Sequence, residues 1–140
     1  MDPDPGGIMI TTHRSSLLAL ADEPVASGVW WSAVARALDD LADRLDADAL
    51  LDAGPDGALE RAVDDEPTLA NRASSANSER MALQVRVFEL RRFVAAHAGD
   101  PDQVEPVAGR LRGVAKGEHH YEKRVRAVVW DSLSRDIGGE

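Results

Sequence analysis

Cysteine is absent from this 140-residue chain, which removes disulfides and thiolate metal sites from consideration. Aromatic residues are scarce, at 4%, and much of the apolar content is alanine and leucine, both good helix formers. Lysine is nearly missing as well: apart from Lys116 and Lys123 every basic residue is arginine, which reads as compositional bias. No apolar run reaches the roughly 18–20 residues that span a bilayer. The opening Met1-Asp-Pro-Asp-Pro-Gly-Gly is acidic and turn-rich, the opposite of a secretory signal. A cytoplasmic protein without membrane contact is the expectation. Positive charge is also in deficit, with a net charge of −9. General nucleic-acid binding needs a basic surface and is not expected. Motifs of catalysis are missing too: no nucleophile–base signature, no phosphate loop and no closed His/Cys cluster, so enzyme activity is not expected.

What the chain does have is helical periodicity. At 140 residues it is long enough for one domain with a real core, and residues 1–7 read as a disordered N-terminus ahead of a single domain over 8–140. Leu69, Ala73, Ala76, Leu83, Val87, Leu90 and Val94 are spaced alternately by four and three, which keeps one face of a long helix over 67–97 turned to a core. Pro67 suits its first turn, and Ala98-Gly99 its end. A second helix runs from Ser27 or Gly28 to about Ala53, with Trp31, Val34, Leu38, Leu41 and Leu45 on its stripe and Trp30 beside it. Gly54-Pro55-Asp56-Gly57 then ends it by turn chemistry. Ala58 to Asp64 predicts a short helix across the bundle end. Asp100-Pro101-Asp102-Gln103 supplies an N-cap, a first-turn proline and a capping-box glutamine. The last helix follows, with Val104, Val107, Leu111, Val114, Val125 and Val128 inward, ending near Ile137. A first helix carries Ile10, His13, Leu17 and Leu20. Short connections between such helices specify an all-α, up-and-down four-helix bundle.

Three features stand outside simple packing. Gly109, Gly113 and Gly117 recur on the side of the last helix away from its apolar stripe. Each costs about 1 kcal/mol relative to alanine there, so they are either tolerated surface positions or a close contact with another chain. From Glu79 to Arg126 there are ten Lys or Arg against seven Asp or Glu. That stretch is either a pair of solvated helices or a docking face for an acidic partner. Finally, every apolar stripe is interrupted by polar residues: His13; Asp48 and Asp52; Arg80; Glu118 and Tyr121. A charge on a buried stripe needs a partner, and the chain direction permits these residues to meet at one level. Bundle metal sites use carboxylates and histidines spaced by three or four. Asp48 with Asp52 and Glu118 with Glu122 have that spacing, and His119 and His120 sit beside the second pair.

Thr12-His13-Arg14 with Leu17-Leu18, Asp48-Ala-Leu-Leu-Asp52, Pro67-Thr-Leu69, Arg72-Ala73, Glu79-Arg80, Tyr121-Glu122 and Asp136-Ile137-Gly138-Gly139 follow one another in an order that resembles the haemerythrin-like, or HHE cation-binding, proteins. The resemblance covers roughly Thr12 to Gly139. It implies a four-helix bundle around a non-haem di-iron site held by histidines and carboxylates. The departures fall on the ligands. His13 matches, but Asp48, Arg80 and Tyr121 stand where the family carries histidine, and Asp52 where it carries glutamate. Arginine stays protonated, offers only donors and cannot ligate a metal. The resulting expectation is a haemerythrin-like bundle in which a polar cluster of His13, Asp48, Asp52, Arg80, Glu118 and Tyr121 replaces the metal centre. Such a protein needs no cofactor and acts by binding an unknown protein partner or by self-association. The alternative is an altered site for non-haem iron, sensing or storing metal or oxygen through His13, Asp52, Glu118, His119 or His120.

Overall fold

Alanine- and leucine-rich segments with alternating three- and four-residue spacing fold into helices because that spacing gives each a continuous apolar side to bury. The computed structural model describes residues 16–53 and 57–138. Its helices are α1 (described over 16–22), α2 (Gly28–Ala53), α3 (Ala58–Asp65), α4 (Ala70–His97) and α5 (Val104–Gly138). Single 3-10 turns, Pro67–Leu69 and Pro101–Gln103, lead into α4 and α5. The expected helix start at Pro67 is therefore a tighter turn first. A proline followed by a residue that must reach the core suits such a turn, and Leu69 is buried there.

Boundaries follow the local chemistry. Gly99 ends α4 with φ +90°, a backbone conformation that a side chain would strain. The Asp100 carboxylate then accepts a hydrogen bond from the Asp102 amide at 3.0 Å, capping the turn that opens α5. At the same end of the bundle the Trp30 indole donates to the Leu20 carbonyl at 3.0 Å, tying α1 to α2. Trp30 and Trp31 pack edge to face with ring centroids 5.2 Å apart. The turn at 54–56 and the expected N-terminal disorder at 1–7 lie outside the described residues, as do Ile10 and His13 of the first stripe.

Cross-helix contacts set the directions. Between α4 and α5, Arg72 bonds Asp131 at 2.5 Å, Glu79 pairs with Arg124, the Arg86 guanidinium lies over Gly113 and Gly117, and Arg110 stacks on Phe93 at 4.3 Å. Successive contacts are seven residues apart on both helices and run in opposite senses. This is the register of an antiparallel coiled-coil seam. Between α2 and α4, Gln84 donates to Asp46 at 3.0 Å and Arg91 to Asp39 at 2.9 Å, again seven apart and antiparallel. Thus α2 and α5 flank α4 on opposite sides and run parallel to each other. The main core joins Leu17, Trp31, Leu38, Leu41, Leu83, Leu90, Leu111 and their neighbours. A second cluster of Leu59, Ala62, Leu69, Ala73, Ala76 and Val128 closes the end under α3. The result is an all-α bundle of packed long helices.

The glycine expectation needs correction. Gly113 and Gly117 do not face outward for another chain. They sit on the flank towards α4, where a Cβ would come within 3.0 Å and 3.1 Å of the Arg86 guanidinium. Gly109 alone is open, with nothing within 4 Å of a Cβ. Their work is to let one arginine of this same chain lie flat across α5.

Candidate functional site

Among the described residues, the polar residues that interrupt the stripes make contacts in two places. The first bridges α2 and α5. Glu118, only 1% exposed, falls on the inward line of α5 between Val114 and Tyr121. Its Oε2 accepts a hydrogen bond from Arg44 Nη2 at 2.5 Å. The same guanidinium reaches Glu122 at 3.7 Å. One turn further along both helices, the Tyr121 hydroxyl donates to Asp48 Oδ2 at 3.0 Å. The two contacts stack because Arg44 and Asp48 are four apart on α2 while Glu118 and Tyr121 are three apart on a parallel helix. The second neighbourhood is on α4, where Arg80, 8% exposed, donates to the Asn77 side chain at 2.6 Å.

The structure therefore brings Asp48, Tyr121, Glu118 and Glu122 together, but the cation that holds Glu118 is Arg44. Arg80 is buried as its place on the stripe demands, and one of its bonds returns to its own helix. Arg44 escaped the sequence reading because it lies one position before Leu45, at the edge of the stripe. The available signal was its place four residues before Asp48. A long side chain at a stripe border reaches inward as readily as one on the stripe, and Arg44 retains about a third of its side-chain exposure, 34%.

Burial makes this pair demanding. Glu118 Oε1 has no hydrogen-bond partner among the described residues, so Arg44 carries most of the compensation for a carboxylate taken out of water. Arginine matches that need with its fixed fork of donors, and it spans Glu118 and Glu122 at once.

The fit of a metal to these residues can be tested on the donor set. Glu118 is already engaged by a guanidinium, whose fixed charge opposes a dication. His119 and His120 are both exposed, with rings 6.2 Å apart, and face away from the Arg44 pair. His13 and the Asp52 side chain lie outside the described residues. Among the described residues no three His, Asp or Glu side chains group so as to hold an ion. The described residues alone do not supply the ligand set of a di-iron centre. Among the described residues no helix is long and apolar enough to cross a membrane.

Set against known proteins, the chain matches no family model, no curated protein and no solved structure. No family is identified by these comparisons.

Proposed function

We propose that this chain is a non-catalytic binding or regulatory module, built on a haemerythrin-like bundle whose interior polar positions are used for structure and not for metal chemistry. The observation that carries the reading is the Arg44–Glu118 pair at 2.5 Å. It neutralises a buried carboxylate with a residue that cannot ligate and that repels a cation. The Tyr121–Asp48 bond treats a second pair of family-matched positions in the same way, as donor and acceptor for each other. On this reading the chemistry of the molecule is that of its helix surfaces.

Elemental analysis of protein produced with added iron tests the reading. The expected result is iron far below one equivalent and no visible absorbance from an oxo-bridged pair. Near-stoichiometric iron with that absorbance would replace it with the altered metal site that draws on His13, Asp52, Glu118, His119 or His120.

A further inference from the structure

Between the first turns of α2 and the last turns of α4 lies an open cleft of about 560 Å³, a size within the range of small-molecule sites. Trp31 and Val94, both buried, form its floor. Ala35 on α2 and Ala95 and Ala98 on α4 line much of the rest. Side chains this small leave space between two packed helices that longer ones would fill. Phe88 and Arg92, both exposed, stand at the rim, with the Arg92 guanidinium over the Phe88 ring at 5.8 Å from its centroid.

The polar groups along this cleft are unequally engaged. Asp39 accepts a hydrogen bond from Arg91 at 2.9 Å, so those two charges offset each other. Arg92 has no carboxylate partner among the described residues. The indole N–H of Trp31 also lacks a hydrogen-bond partner among them, and a buried donor left in that state is rare in a folded protein. Ser32 adds a hydroxyl, which serves as donor or acceptor. What remains unengaged is donor capacity and one positive charge beside an apolar floor, in a molecule whose net charge is −9.

We propose that the α2–α4 cleft binds a small apolar acid, a single carboxylate on a compact hydrocarbon or aromatic body. The body covers Trp31, Val94 and the alanines, and the carboxylate meets Arg92, whose fork of donors matches it. An amine is repelled by Arg92, and a neutral guest leaves that charge unused. Burial of the body supplies most of the affinity, while Arg92 supplies the choice among guests of one shape. This inference rests on the reading of the chain as a binding module and names the ligand class of that module.

Calorimetric titration of the full chain with naphthaleneacetate tests it, beside naphthaleneacetamide, which keeps the shape and lacks the charge. The acid is expected to bind saturably and one to one. The amide should bind about fivefold more weakly, the size of an ion pair open to water. Arg92→Gln should lower the acid to the amide's affinity and leave the amide unchanged. Ala95→Phe puts a ring into the cleft and should abolish binding of both. Arg92 and Ala95 are exposed, so unchanged circular dichroism and melting temperature are expected for each variant. Absence of saturable binding of the acid overturns the proposal. So does an amide that binds as tightly as the acid. Acid binding that survives Arg92→Gln or Ala95→Phe also overturns it, because the guest then lies elsewhere, as on the exposed Met81 and Val85 of α4. Iron content is measured separately: iron-free protein that binds no acid ends this inference alone, and iron-loaded protein ends the proposed function whatever the cleft does.

Discussion

Glu118 is the residue whose environment has most to lose. A carboxylate that is 1% exposed and satisfied at one oxygen depends on the charge that faces it. Arg44→Met should cost about 2–3 kcal/mol, at or below the low end for a buried pair because Arg44 itself keeps contact with water. The loss is read from the denaturant midpoint. Combining it with Glu118→Leu should recover most of the deficit, since removing both partners removes the stranded charge. A double variant no more stable than Arg44→Met would mean that packing of the arginine stem, not charge, is what the pair contributes. Tyr121 makes a smaller demand. Tyr121→Phe keeps the ring in the core and deletes one hydrogen bond to a half-buried carboxylate, so a loss of about 1 kcal/mol is expected by thermal melting.

At the scale of the element, the glycines of α5 give a graded test of what lies beside a helix. Alanine is favoured over glycine in a helix by about 1 kcal/mol wherever its methyl has room. Gly109→Ala meets nothing within 4 Å and should gain close to that amount. Gly113→Ala meets only the end of the Arg86 side chain, at 3.0 Å, which can swing away while most of the gain survives. Gly117→Ala meets Arg86 and also Leu83 Cδ1 at 3.3 Å. Leu83 is fixed in the core, so this variant should gain least or lose. The order of melting temperatures, with Gly109→Ala highest and Gly117→Ala lowest, checks the α4–α5 register as well as the propensity argument. Equal shifts at all three would mean that Arg86 does not lie across α5.

Among the described residues of the molecule the apolar core forms two clusters, joined where Val125 packs against both. The end cluster is small and depends on Leu59 from α3, a helix of eight residues that has little stability of its own. Leu59→Ala should cost about 2–4 kcal/mol from lost burial and the cavity left behind. It should also raise hydrogen exchange in α3 and in the Val128 region of α5 well before the middle of α2 and α4 is affected. Uniform acceleration across the chain would show that the two clusters unfold as one.

The helices and their inward faces were determined by the sequence itself, because period and capping are local. The stripe of Leu83, Val87, Leu90 and Val94 is buried as its spacing demands, α2 spans Gly28–Ala53, and Gly99 and Asp100 mark the break before α5. Partnership was decided only by tertiary structure. Which cation meets Glu118 depends on the parallel alignment of α2 with α5, and nothing local to either helix states that it is Arg44. The same holds for Gly113 and Gly117, whose neighbour Arg86 is set by the seven-residue register with α4. A sequence names the faces that must be buried, since water acts on each helix separately. The pairs across those faces are chosen by how the helices are laid against one another.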